Sequence, residues 1–434
     1  MTHPDEKLTA SRRSFLKSTG AVGASIAMAG GAGGAASIMA ATPAAAASDK
    51  PKDGPLHTYL TYSDDPTTTI DVNLCVKRRT GRVTVYYDTV PRDGNPKSYA
   101  NKIEATYYQT LIELYDRRAI YMATLKDQKP GQTYYFVGGD PEYGYTTERS
   151  FCTLPGGDKP FRFVDGGDMN IGERARKLLK WAGEQDPDFV TIGGDIPYAN
   201  GLFSEYVDWI QWFKNWDDFM HTSDGRMIPM VAAIGNHETN SYISDDINMR
   251  SPFYLGFFGR QGKYVFHTKK FSDDVVIFFL DTGHLISIDG WQTDWLGKEL
   301  EKHKDVKYKF ANYHVPLYPA HRDFEGLPSK MARTHWGPLF DKYGLTIGYE
   351  HHDHVFKRSR PLKDNKVVER GEGTIYLGDG TFGVDPREVD SEPRWYNEKE
   401  GQIAHFWVTD VRPDGLSFKA INEDGEEVDA FTLP

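Results

Sequence analysis

With 434 residues, the chain is long enough for two or three domains and a large core. Hydrophobic residues make up 39% and charged residues 26%, an ordinary globular composition, and two cysteines exclude both a disulfide framework and a cysteine-based metal site. The formal net charge is −11, and because residues 1–47 carry +2, the remainder carries −13 and repels nucleic acid and anionic membrane over most of its surface. Any phosphate must then be bound through a local cation.

In chain order, the first element is an export signal. Ser11-Arg12-Arg13-Ser14-Phe15-Leu16-Lys17 has the twin-arginine pattern, followed by a weakly apolar Gly/Ala stretch and the small residues Ala44 to Ala47. Residues 1–47 are therefore expected to be cleaved near Ala47 and to stand outside the fold, leaving an exported protein, periplasmic or extracellular. A membrane anchor is the alternative, but Gly and Ala are poor lipid-facing residues, and no later run is apolar enough to span a bilayer. Export of the folded chain would allow an ion to be loaded inside the cell, where supply decides which ion is bound.

After a polar linker at Ser48 to Gly54, residues 56–155 consist of short alternating runs: TIDVNLCVK, RVTVYYD, IEATYYQTLIEL, AIYMATL, TYYFVGG and TERSFCTL. Each fits a half-buried strand, and so many in a hundred residues predict an antiparallel sandwich, with residues 48–155 as a first domain. Alternation places Cys75 and Cys152 on the outward faces of their strands; two free thiols are expected, with a disulfide as the alternative.

From Phe161 the rhythm changes to strand, helix, strand, and residues 161–434 are expected to form a second, α/β domain. Helices are predicted over Glu173–Gln185, Phe203–His221, Trp291–His303 and Ser329–Lys342, with Trp209, Trp212, Phe213 and Trp216 as a packing stripe. Five apolar runs, FRFVDGGD, DFVTIGGDIPY, MIPMVAAIGNHE, KYKFANYH and TIGYEHHDH, end in Asp168, Asp195 with Tyr198, Asn236, His314, and His352 with His354. Strands ending this way gather seven polar side chains along one sheet edge, the edge where open α/β sheets bind ligands. GTIYLGDG, IAHFWVTDV and LSFKAI then suggest returning antiparallel strands.

In order and spacing these motifs, Gly167-Asp168, Gly194-Asp195-Ile196-Pro197-Tyr198, Gly235-Asn236-His237-Glu238, His314 of ANYH and His352-Asp353-His354, resemble those of the purple acid phosphatases. HDHVFKR and His314-Val315-Pro316-Leu317-Tyr318 match in register as well. The resemblance implies a calcineurin-like, two-sheet metallophosphoesterase sandwich flanked by helices, preceded by a fibronectin type III-like β-sandwich, to which the 125–138 corner LKDQKPGQTYYFVG is also similar. It implies two metal ions: Fe(III) held by Asp168, Tyr198 and His354, a divalent Fe, Zn or Mn held by Asn236, His314 and His352, and Asp195 bridging them. Such hard and borderline donors suit those ions.

The reaction this implies is hydrolysis of small phosphomonoesters, at acid pH, by attack of metal-bound hydroxide. A phosphodiesterase or nucleotidase using the same site is the alternative, and a non-catalytic phosphate- or metal-binding protein the remote one. His237, oriented by Glu238, is expected to bind phosphate or protonate the departing alcohol, with Asn236 beside it. His321 is a second catalytic candidate. Two departures stand out: Asn170 replaces a family glycine at a turn that Asn tolerates, and Glu350-His351 precedes the HxH pair where a small residue is usual. His351 is expected at the substrate mouth or behind a ligand imidazole.

Overall fold

The computed structural model describes residues 54–434 apart from 109, 114–116, 241–243, 379 and 392. The export signal expected over residues 1–47 lies outside the described residues. Residues 52–434 form one compact unit.

Nine strands come first: β1 (His57–Thr61), β2 (Ile70–Val76), β3 (Thr84–Asp88), β4 (Asn101–Glu104), β5 (Thr106–Tyr108), β6 (Ala119–Leu125), β7 (Thr133–Asp140), β8 (Gly144–Tyr145) and β9 (Arg149–Cys152). They pair antiparallel into a sheet ordered β1-β2-β6-β5 and a second ordered β4-β3-β7-β8, with β9 also on β7. Leu60, Val72, Leu74, Val85, Phe136 and Phe151 fill the space between them. The Tyr134 hydroxyl accepts from the Lys129 backbone N–H at 2.9 Å, the tyrosine corner of such sandwiches.

Three local features differ from the sequence-based expectations or add to them. The strand β1 escapes an alternation test because all five of its residues are buried, so neither face reads as polar. The run IEATYYQTLIEL breaks at Ala105, whose N–H donates to the Val83 carbonyl, and its two halves join different sheets. Cys75 does lie on the outward face of its strand, opposite Ile120, but is buried because the outer face of the β1-β2-β6 sheet is itself covered: Tyr59 and Ile120 pack with Trp209, Phe213 and Phe257 of the second segment. Both thiols are free.

The second segment forms two larger sheets. The first contains β10 (Phe161–Gly166), β11 (Phe189–Ile192), β12 (Met230–Ala232), β22 (His405–Arg412), β23 (Gly415–Asn422) and β24 (Glu427–Leu433), in the order β12-β11-β10-β22-β23-β24. The second contains β13 (His267–Lys270), β14 (Val275–Phe279), β15 (Tyr308–Asn312), β16 (Ile347–Tyr349), β17 (Phe356–Ser359), β20 (Ile375–Gly378) and β21 (Asn397–Gly401), ordered β13-β14-β15-β16-β20-β17-β21. A short hairpin, β18 (Leu362–Lys363) and β19 (Lys366–Val367), lies off both. Within each sheet a parallel block, β10-β11-β12 or β14-β15-β16, points its carboxyl ends the same way. Phe163, Phe189, Phe310 and Tyr349 stack between the sheets.

Helices α1 (Glu173–Gly183), α2 (Tyr206–Phe219), α3 (Ile247–Arg250), α4 (Pro252–Phe257), α5 (Trp291–Lys302), α6 (Leu327–His335) and α7 (Gly337–Tyr343) flank them. The helix expected over Ser329–Lys342 starts earlier and is broken at Trp336. There Pro338, at the second position of α7, has no N–H to continue a ladder. The α2 stripe of Trp209, Trp212, Phe213 and Trp216 is buried, as its spacing requires.

That packing creates an acid liability. The His57 ring stacks on Phe213 at 4.3 Å in the buried seam between β1 and α2. Burial, helped by the Arg118 charge, pulls its pKa down from 6.5 to about 3. The unfolded chain therefore binds a proton below pH 6.5 that the native state refuses until about pH 3, and stability falls through that window. We expect His57→Phe to gain on the wild type by about 2–3 kcal/mol as pH drops from about 7 to about 4.5, since each pKa unit is worth about 1.4 kcal/mol. Urea unfolding at the two pH values measures this; equal pH slopes would reject it.

Candidate metal centre

The seven polar residues occupy the carboxyl ends of the two parallel blocks: Asp168 after β10, Asp195 and Tyr198 after β11, Asn236 after β12, His314 after β15, and His352 and His354 after β16. Sharp turns bring them inward. Asp168, Asp195, Tyr198, His352 and His354 all have φ between 51° and 77°, the left-handed region that costs a non-glycine residue about 1–2 kcal/mol. Five such residues converging on one point is strain the rest of the fold must hold in place. Asn170 also sits there, at φ 58°, so the asparagine does serve where a glycine is usual. Gly194 and Gly235 let two of the turns touch: a Cβ on Gly194 would lie 2.5 Å from the Gly235 nitrogen, and one on Gly235 2.2 Å from an Asp195 oxygen.

The side chains fall into two sets. In one, the Tyr198 hydroxyl donates to Asp168 Oδ1 at 2.8 Å, His354 Nε2 lies 2.9 Å from the same oxygen, and hydroxyl and ring nitrogen are 3.1 Å apart. In the other, His314 Nε2 is 3.1 Å from Asn236 Oδ1, 3.1 Å from Asp195 Oδ2 and 3.1 Å from His352 Nδ1. Ligand atoms of Asp195, His314 and His352 all lie within 4.8 Å of one another.

The tautomer of His314 tests whether a cation fits. Its Nδ1 faces the Gly193 carbonyl at 2.9 Å and must donate there, which leaves the lone pair of neutral Nε2 facing a carboxylate oxygen, an amide oxygen and another ring nitrogen. Four electron pairs then point at one spot. Burial opposes a charge on His314, yet Asp195 and Asp168 overcome it and hold the ring's pKa up to about 10. The site therefore attracts positive charge, and this donor set fits a metal ion. Tyr198 shows the complement: burial, then Asp168 and Asp195, push its phenol well above 10, so only a cation at the site could draw out a phenolate.

The expected supporting residues are placed less uniformly. His237 lies beside the site, one-third exposed, with Nε2 3.9 Å from Asp195 Oδ2 and its ring 4.2 Å from that of Tyr198. Glu238 does not orient it. The Glu238 carboxylate instead accepts the backbone N–H groups of Asp195, Ile196 and Gly235 at 2.7–2.8 Å, bracing the turns that carry the ligands. It is Asn200, overlooked in the sequence, whose Oδ1 meets His237 Nδ1. Its signal was faint: a polar residue two after Tyr198, in a turn at φ 51°.

His321 is exposed at a loop whose backbone N–H groups, His321 and Arg322, donate to the buried Asp353, while its ring Nδ1 faces the Glu388 carbonyl at 2.9 Å. No contact joins its ring to the ligand cluster among the described residues. His351 is not at the mouth. It is 3% exposed and lies beneath the ligands, held by the Tyr313 carbonyl and Asp165. Glu350 turns away completely, accepting from the Tyr313 hydroxyl and the Leu317 N–H and pairing with buried Lys357 at 2.6 Å. Asp281, which ends β14 at the same edge, accepts three backbone N–H groups of the 284–286 turn and so shapes a loop. That loop brings His284 to 5.5 Å from the His314 ring.

Known proteins agree with this architecture. The calcineurin-like phosphoesterase family model matches residues 171–362. Purple acid phosphatase 21 of Arabidopsis thaliana is 23% identical over 344 residues, covering 75% of this chain and 68% of that protein. An uncharacterized protein of Mycobacterium tuberculosis, Rv2577, is 26% identical over 317 residues, covering 60% of this chain and 58% of its own length. Among solved structures, the purple acid phosphatase PPD1 from yellow lupin (Lupinus luteus) seeds superposes with a TM-score of 0.72 at 18% identity, covering 88% of this chain and 74% of that one. PhoD follows at 0.61 and 10% identity, covering 89% and 94%. Residues 171–362 thus form a calcineurin-like phosphoesterase domain, and the chain is similar to purple acid phosphatases in sequence and in fold.

Proposed function

We propose that this phosphoesterase hydrolyses phosphomonoesters at a two-ion centre, with Asp168, Tyr198 and His354 holding Fe(III), Asn236, His314 and His352 holding divalent Fe, Zn or Mn, and Asp195 shared. The observation that supports the reading is the convergence of acceptor atoms of Asp195, Asn236 and His352 on His314 Nε2, a donor set suited to a metal ion that would take the place of the proton there. When bound, the two ions supply Lewis-acid charge for polarising the phosphoryl group and activating water.

The chain's own residues do the rest. Asp195 keeps both sets in register while its Oδ1 accepts the His237 N–H at 2.8 Å. With Nδ1 held by Asn200, the His237 ring is fixed so that Nε2 faces the site and can bind a phosphoryl oxygen or hand a proton to the leaving alcohol. His321 is instead tethered to Glu388 and Asp353. The acidic surface adds no second anion-binding field, so a small, singly esterified phosphate suits the site better than a polymer. The twin-arginine signal supports export of the folded chain to the periplasm or beyond, and no described helix is long and apolar enough to cross a membrane.

Metal analysis, a visible spectrum and a monoester and diester panel on one sample test this. Two metals per chain and a colour from tyrosinate-to-iron charge transfer are expected. Tyr198→Phe should remove the colour. A colourless, fully active di-zinc or di-manganese enzyme would refute the iron assignment and leave the phosphoesterase; faster turnover of diesters would refute the monoester reading.

A further inference from the structure

Directly beneath the ligands lies a buried polar layer for which the proposed reaction has no direct use. Asp165 from β10, Thr191 from β11, Asn312 from β15 and His351 after β16 are each at most 3% exposed. Asn312 Nδ2 donates to Asp165 Oδ1 at 2.9 Å, Thr191 Oγ1 reaches the same oxygen at 3.3 Å, and His351 Nε2 is 3.3 Å from Asp165 Oδ2. These four residues come from two strands of each large sheet. The layer therefore ties together the sheets that separately carry Asp168, Asp195 and Asn236 on one side and His314, His352 and His354 on the other.

His351 is the central member. Its backbone N–H donates to the His314 carbonyl at 2.9 Å and its Nδ1 to the Tyr313 carbonyl at 2.8 Å, so main chain and ring both grip the strand end that carries His314. The ring fits only because two residues of the facing sheet lack side chains. A Cβ at Gly193 would fall 1.9 Å from it, and one at Gly167 2.5 Å. Gly167 precedes Asp168, and the carbonyl of Gly193 is the group that orients His314. A generic core residue would not need polar contacts to both sheets, nor two glycines adjoining the ligand turns.

We propose that His351 is a positioning residue that sets the separation of the two sheets' ligand sets, and with it the affinity for the second metal ion; this rests on the two-ion reading above. Residues that orient metal ligands from behind are typically worth about 10–100-fold in affinity.

The test uses full-length mature protein stripped with a chelator and titrated with Zn²⁺ against a competing chromophore. His351→Ala should weaken the second Zn²⁺ by tens of fold. His351→Asn, whose amide can take the place of Nδ1 and keep the bond to Tyr313, should lose only several-fold. Leu296→Ala, a core truncation within α5 and away from this layer, should lower the melting temperature without moving either affinity. Wild-type affinities in His351→Ala would overturn the inference. If that variant does not fold, His351→Asn decides: a several-fold loss supports it and wild-type affinity overturns it. Wild-type protein that takes up fewer than two Zn²⁺ would instead overturn the two-ion reading and this inference with it.

Discussion

Replacing Asp195 by Asn is expected to abolish metal retention and turnover while the metal-free chain still folds. Asp195 is 1% exposed, one oxygen accepts the His237 N–H and the other faces His314. Its charge also burdens Glu238, whose pKa burial and then Asp195 drive up to about 8. The pairing of Asp195 with His314, whose ring pKa it helps hold up to about 10, offsets part of that cost. Asn keeps the shape, tolerates the left-handed backbone at φ 51° and can still accept from His237, so the fold loses little. What disappears is the negative charge shared by the two ligand sets. Metal analysis after gel filtration and the melting temperature of stripped protein measure both halves. Two ions and wild-type rate in Asp195→Asn would remove the basis for a two-ion centre. Asp353→Ala is the matching control, because Asp353 points away to cap the 321–322 loop and should keep both ions.

The contrast between Asp195 and Glu238 shows what a sequence can and cannot reveal here. Residues at strand ends were legible because two simple periodicities coincide: apolar runs that must be buried, and polar residues that cannot be unless something pairs them. Fold class followed from the same runs. Direction of a side chain at a turn was not legible. Glu238 follows His237 directly, yet the tight turn over Asn236–Glu238 sends its carboxylate back onto the backbone of Gly235 and of the Asp195 loop. His351 adjoins His352, but the chain turns at His352, φ 77°, so one ring enters the site and the other goes beneath it. Likewise the burial of β1 and Cys75 is not legible, because the surface that covers their sheet comes from α2 and α4, over a hundred residues away. Partners that distant leave no local pattern. Asn200 is the intermediate case: near in sequence to Tyr198, but recognisable only once His237 is seen against it.

That pairing leads to the second large effect. His237→Ala should retain both ions and hydrolyse alkyl phosphates about 10²–10⁴-fold more slowly, the usual contribution of a positioned general acid. An alkoxide is a poor leaving group and needs the proton; a phenolate with an acidic parent leaves almost unaided, so aryl phosphates should lose far less. The discrimination is therefore in the ratio of the two kcat/KM losses, which a change in fold or metal content would move together. Asn200→Gly supplies the second side of a cycle. Glycine accepts the φ of 51° at that position without strain, so the backbone is spared while the side chain's hydrogen bonds to His237 Nδ1 and to Glu205 Oε2 are lost. With the ring free to turn, alkyl esters should slow by a smaller factor in the same leaving-group pattern. The double variant should be no slower than His237→Ala alone, because Asn200 acts only through the imidazole. Equal losses on alkyl and aryl esters in His237→Ala would assign the ring to holding the phosphoryl group, and fully additive losses in the double variant would separate Asn200 from His237 altogether.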